Sequence, residues 1–175
     1  MKVTKTELDA VLIIEPEVHR DSRGFFYESY VKRKYQERGI ADDFVQDNHS
    51  LSKKGALRGL HYQEEPGQAK LVRVTHGEVF DVVVDVRKNS PSFGKWIGVC
   101  LSEGNRLQIY IPIGFAHGFC TLSDTAELLY KCSDYYNPAG ERGIRWNDPD
   151  IGIEWPIQNP ILSEKDKNLP LFRNI

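Results

Sequence analysis

The chain has 175 residues, 40% of them hydrophobic and 27% charged, a composition that fits one globular domain with a single core and excludes a disordered or fibrous protein. A net charge of −2 provides no basic field for a nucleic acid, so any anion must be held locally in a pocket. The terminus MKVTKTELDAVLII has no long apolar stretch before a small-residue cleavage site, no run reaches membrane-span length, and Cys100, Cys120 and Cys132 lack C-x-x-C spacing. The expectation is a single cytoplasmic domain over residues 1–175, binding neither nucleic acid nor membrane, with the thiols as small buried side chains in a reducing cell.

Leu8 to Ile14 reads as a short strand ended by Glu15-Pro16, and Asp21-Ser22-Arg23-Gly24 as a turn leading into the aromatic run Phe25-Phe26-Tyr27. Val31 to Arg38 is polar and helix-forming, stopped at Gly39, and predicts a surface helix. From Phe44 onward nearly everything reads as strand. Gln46, Asn48 and Ser50 share one face, where they either hydrogen-bond a sugar or lie solvated at an edge.

Leu57-Arg58-Gly59-Leu60-His61-Tyr62-Gln63 is strand-like and is closed by Glu64-Glu65-Pro66-Gly67, with Lys70 just beyond. A titratable base beside two fixed positive charges suits an anionic substrate that needs proton transfer; a lone histidine on a hairpin is the bland alternative. Strict alternation puts Arg58 and His61 on opposite faces, as it does Arg23 and Glu28, so either a bulge at Gly59 re-aims one side chain or a neighbouring subunit supplies it.

Val79 to Arg87 has the best alternation: Phe80, Val82, Val84 and Val86 form an apolar stripe, with Asp81, Asp85 and Arg87 interrupting the other face. Arg106 to Ile111 and Ala126 to Ser133 repeat the pattern, the latter with Ala126, Leu128, Tyr130 and Cys132 together. Turn signals at Gly77-Glu78, Asn89-Ser90-Pro91, Gly104-Asn105 and Ser123-Asp124 separate these runs and predict an all-β sandwich or barrel. The tail with Trp146 and Trp155 should wrap over the barrel, and Leu162 to Asn168, with Ser163 as a cap, should form a short surface helix.

Pro112-Ile113-Gly114-Phe115-Ala116-His117, placed after an alternating strand, resembles the second signature motif of the cupin superfamily, whose members are double-stranded β-helix (jelly-roll) barrels. The all-β fold it implies has one or two short peripheral helices. Metal-dependent cupins carry His-x-His and then Glu in their first motif; here that motif reads His61-Tyr62-Gln63, followed by Gly67 and Gln68. Two histidines alone make a poor divalent-cation site, so neither a metal nor a cofactor is expected.

The segments DSRGFFYES, FVQDNHS, LRGLHYQ, GEVFDVVVDVR, PIGFAHGF and WNDPDIGIEWP, in this order and spacing, resemble the dTDP-4-dehydrorhamnose 3,5-epimerase family over nearly the whole chain. The resemblance implies that His61 removes the proton α to a 4-keto group, oriented by Asp166, that Tyr130 is the acid on the opposite face, and that Lys70 stabilises the enolate oxygen. It also implies that His117 lines the cavity, that Arg23 and Arg58 meet the diphosphate, and that Glu28, Gln46, Asp47, Asn48, Glu141 and Lys165 hold nucleotide and sugar. Phe26, Tyr135 and Tyr136 become candidates for packing on base or sugar. The partners so implied are a dTDP-4-keto-6-deoxy sugar nucleotide and a second copy of the chain in a strand-exchanged homodimer. A single-carbon epimerase and a non-catalytic sugar-nucleotide-binding cupin are the competing readings.

Overall fold

The computed structural model describes residues 1–175. In chain order its elements are β1 (Lys2–Lys5), β2 (Leu12–Glu15), β3 (His19–Asp21), β4 (Gly24–Phe26), α1 (Lys32–Gln36), β5 (Gln46–Lys53), β6 (Leu57–Gln63), β7 (Lys70–His76), β8 (Glu78–Asp85) and β9 (Trp96–Ser102). There follow β10 (Gln108–Ile111), β11 (Phe115–Thr121), β12 (Thr125–Cys132), β13 (Glu141–Gly143), α2 (Glu164–Lys167) and a closing 3₁₀ turn at Phe172–Asn174.

Two antiparallel sheets carry the cupin-type jelly roll, one in the order β1-β2-β10-β7-β12-β5 and the other β13-β6-β11-β8-β9; β3 and β4 form a separate hairpin. Between the sheets lies an apolar layer that includes Val72, Val74, Val79, Val83, Ile109, Ile111, Phe115, Phe119 and Leu128. Burying such side chains is worth about 1.5–3 kcal/mol each. A second cluster places Tyr35 of α1 on Leu12, Ile14, Leu71 and Tyr110. The polar helix is therefore a surface element with one deep anchor; it is shorter than the expected Val31 to Arg38, ending at Gln36, and the turn that follows closes at Gly39, where φ is +90°.

The tail from Ile144 onward covers the outer face of the five-stranded sheet. Ile144 and Ile151 are buried there with Leu60, Val82, Val84 and Ala116, while Trp155 meets Phe80 edge-on at 6.1 Å and donates from Nε1 to the Trp146 carbonyl at 2.7 Å. This arrangement corrects the reading of β8. Its apolar stripe faces the tail, whereas Asp81 and Asp85, expected as interruptions on the other face, are completely buried, Asp81 beneath His117. Both faces of β8 are covered, so both are core.

Other departures have local causes. β2 (Leu12–Glu15) takes up only the end of the Leu8–Ile14 run, because the Thr6 hydroxyl proton is shared between the Leu8 and Val11 carbonyls and holds a tight turn that buries both side chains without a ladder. No individual strand is expected from the sequence at β1, β7 or β9: β1 and β7 lack clean alternation, whereas β9 does alternate, with Ile97, Val99 and Leu101 turned to the core. Cys100 was expected to be buried but is exposed, because it alternates with the core-facing Val99 and Leu101 and so points to the outer face of β9; Cys120 and Cys132 are buried as expected. No helix is long and apolar enough to cross a membrane.

Candidate active site

At one end of the barrel the sheets part around a cleft of about 520 Å³, lined among others by Ser50, Arg58, His61, Lys70, His117 and Tyr130. Strand alternation delivers these side chains from both sheets. Tyr130 and Lys70 sit on β12 and β7 of one sheet, with Asn48 directly opposite Tyr130 and Cys132 directly opposite Lys70. His61 and His117 sit on β6 and β11 of the other and are themselves register partners.

Arg58 joins them through a bulge. His61 pairs with His117 and Arg58 with Phe119, so three steps on β6 match two on β11. The extra residue cancels the parity that would turn Arg58 away. Gly59 allows the close approach. Its φ is +119°, and a Cβ there would sit 2.6 Å from Gly118 Cα and 2.7 Å from the His117 carbonyl.

His61 Nε2 lies 2.6 Å from Asp166 Oδ1. Burial opposes ionisation of Asp166, but the imidazole, the Ser163 hydroxyl and the Gly59 backbone outweigh it and hold the carboxyl below its ordinary range. An ionised acceptor fixes the proton on Nε2 and leaves Nδ1, which makes no hydrogen bond within the chain, as the basic nitrogen. Asp166 reaches this position because Ser163 caps α2, its hydroxyl accepting from the Asp166 amide at 3.1 Å.

His117 Nε2 lies 2.8 Å from Asp81 Oδ2, both groups buried, and Asp81 Oδ1 has no partner. Desolvation lowers the Lys70 ammonium pKa, against the pull of Cys132, Asp81 and Glu141. Desolvation raises the Tyr130 phenol, with Cys132 adding to the effect and Arg58 opposing it. Tyr130 is thus held in the protonated form that can donate.

The remaining expected residues lie at differing distances from the cleft. Gln46 and Asn48 lie beside the cleft, joined by a 3.1 Å hydrogen bond; Gln46 also accepts from the Tyr136 amide at 3.1 Å. Lys165 lines the cleft and pairs with Glu141 at 2.6 Å, and Glu141 accepts from the Tyr136 hydroxyl at 2.7 Å. Tyr135 and Tyr136 remain largely exposed. Asp47 points to the outer face of β5, where it pairs with Lys131 at 2.8 Å.

Arg23, Phe26 and Glu28 do not reach the cleft of their own chain. Arg23 is bound to Asp21 in the β3–β4 hairpin, and Glu28 to Lys34. Phe26 is 67% exposed. Asp81 and Ser163 were missed as functional candidates. A carboxylate inside an otherwise apolar strand was the available signal for Asp81, and the Ser-x-x-Asp spacing pointed to Ser163.

A paired imidazole on one wall and a protonated phenol on the opposing wall, with an ammonium between the same sheets, mark this barrel as a cupin-fold isomerase that moves protons on and off carbon. The family profile described as dTDP-4-dehydrorhamnose 3,5-epimerase matches residues 5–174. The chain is 60% identical over 170 residues to the dTDP-4-dehydrorhamnose 3,5-epimerase of Shigella flexneri, covering 96% of this chain and 94% of that one. Among solved structures, the Legionella pneumophila dTDP-6-deoxy-D-glucose-3,5-epimerase in complex with dTDP-4-keto-L-rhamnose is 52% identical with a TM-score of 0.97, over 99% of this chain and 94% of the other. The 3'-monoepimerase ChmJ of Streptomyces bikiniensis, in complex with dTDP-quinovose, is 38% identical with a TM-score of 0.90, over 96% and 86%. The chain belongs to the dTDP-4-dehydrorhamnose 3,5-epimerase family.

Proposed function

We propose that the cleft performs the family's reaction, inversion of C3 and C5 of dTDP-4-dehydro-6-deoxy-D-glucose to dTDP-4-dehydro-L-rhamnose, through enolates formed and reprotonated between the two sheets. His61 Nδ1 takes the proton α to the ketone while Asp166 holds the imidazole and balances the imidazolium. Lys70 stabilises the enolate oxygen, its charge acting more strongly in a partly desolvated site than in water. Tyr130 returns a proton to the opposite face. The observation that carries this reading is the origin of His61 and Tyr130 on opposing sheets of one cleft, with Asp166 bound to His61.

Arg58 and Lys165, both on the cleft wall, meet diphosphate and sugar, with His117 lining the cavity. Gln46, Asn48 and Glu141 hold the nucleotide end beside Tyr135 and Tyr136. No step changes an oxidation state, so the proposed reaction calls for no redox cofactor, and Lys70 on the cleft wall supplies the positive charge that the enolate oxygen needs.

The chain acts as one domain in a cytoplasmic homodimer. Arg23, Phe26 and Glu28, stranded away from their own cleft on an aromatic hairpin, serve the partner's cleft, and Asp47 acts with them at the subunit boundary. Incubation with the 4-keto sugar nucleotide in deuterated water tests the reaction: two deuterons and an L-configured product are expected. One deuteron with one inverted centre would establish the monoepimerase reading instead, and an unchanged sugar that binds would leave a sugar-nucleotide receptor.

A further inference from the structure

Asp166 is not carried by either sheet; it comes from a strap, residues 161–172, that must be held at both ends to keep its carboxylate at His61. At the first end Ile161 is bonded to the chain entering β6, donating to the Gly55 carbonyl at 2.8 Å and accepting from the Leu57 amide at 3.0 Å. At the second end the Arg145 amide donates to the Pro170 carbonyl at 2.8 Å, and the Phe172 amide donates to Asp148 Oδ2 at 2.8 Å. Asp148 is 2% exposed, and its other oxygen accepts from the amides of Asp150 and Ile151 at 2.9 and 3.1 Å. One carboxylate therefore ties the 148–152 turn to the strap. Between the ends, Leu169 sits over Gly143, the register partner of His61, where a Cβ would come within 2.7 Å of the leucine.

We infer that Asp148 is a positioning residue for the epimerisation: by anchoring the far end of the strap it sets the contact between Asp166 and His61. This rests on the reading of His61–Asp166 as the base pair. An asparagine at 148 keeps the shape but has one acceptor oxygen. If that oxygen serves Asp150 and Ile151, its NH₂ faces the Phe172 N–H, donor against donor, and the strap end is released.

The test is a double-mutant cycle of Asp148→Asn and Asp166→Asn, measured on protein shown by thermal melting to be folded at the assay temperature. A sub-ångström to ångström displacement of a catalytic group costs up to roughly 100-fold. Asp148→Asn should lower kcat at least about 10-fold, with a smaller rise in KM as Lys165 of the same strap also shifts, and should add nothing further to the loss of kcat in the Asp166→Asn background. If both substitutions lower kcat and their effects multiply, Asp148 acts independently of Asp166 and the inference fails. An unchanged kcat in Asp148→Asn also overturns it, whereas an unchanged kcat in Asp166→Asn removes the base-pair reading beneath it. Should Asp148→Asn not fold, Leu169→Ala, which loosens the strap over Gly143, is carried through the same cycle with the same expectation.

Discussion

At the residue scale the proposed mechanism assigns to different side chains the two functions that an epimerising site must divide, proton removal and proton return. In Tyr130→Phe the ring is kept and the donor lost, so His61 can still form the enolate and hand a solvent proton back to the original face. Deuterium should enter C3 or C5 with retained configuration while the doubly inverted sugar becomes scarce; parallel loss of exchange and inversion would sink the role given to Tyr130. Lys70 makes a prediction about pH. Enolate stabilisation needs the ammonium, and desolvation lowers the pKa of that ammonium below the ordinary 10.5, so its charge is lost earlier as pH rises than an exposed lysine's would be. The Tyr130 phenol is shifted the other way, above 10.0, and stays a donor. The alkaline limb of kcat should therefore follow Lys70, and Lys70→Arg, which cannot deprotonate in this range, should move that limb upward even if its maximum rate is lower. A pH profile of the folded variant with an unmoved alkaline limb would assign the limb to another group.

At the scale of elements, the bulge between β6 and β11 lets Arg58 and His61 of one strand face the same cavity. Gly59→Ala would push a methyl against backbone on two sides, at a φ that L-residues avoid. Strain of this kind costs about 1–3 kcal/mol, with overpacking adding a comparable amount. Thermal melting should show a marked loss of stability, and whatever protein remains folded should have a raised KM and a lowered kcat, as Arg58 and His61 lose their common face. A Gly59→Ala protein with wild-type melting and kinetics would show that the bulge does not depend on the glycine. The same reasoning applies to β8, whose buried Asp81 is tolerated because His117 pairs with it; an unpaired carboxylate at that depth would cost several kcal/mol.

At the scale of the whole molecule, the β3–β4 hairpin and the segment after it carry surface that the proposed homodimer would use. Arg23 and Glu28 bind only their own neighbours within the chain, while Phe25 and Phe26 are 54% and 67% exposed. Co-expression of Arg23→Ala and His61→Asn chains tests whether the hairpin serves the other cleft. In a mixed dimer one site then receives an intact His61 from one chain and an intact Arg23 from the other, so activity should return to about a quarter of the wild-type sites under random pairing. Either variant alone should be nearly inactive, and mixing would restore nothing if Arg23 acts within its own chain.

Much of this was readable in the amino-acid order. Alternation located β5, β8, β10 and β12, turn residues separated them, and the face shared by Ala126, Leu128, Tyr130 and Cys132 is the inward face of the barrel, because a strand's side-chain parity is a local property. The spaced histidine motifs and the Ser163-capped segment likewise depend on neighbours in sequence. What needed the tertiary structure were relations between distant segments: which face of β8 meets the barrel and which the tail, that Asp81 lies under His117, and that Asp166 is brought to His61 across 105 positions of chain. The conflict over Arg58 and His61 also resolved only in three dimensions. One extra residue in a ladder reverses the parity of everything beyond it, and where that residue is inserted is decided by the partner strand and by the space left at Gly59 and Gly118, which no count along a single strand contains.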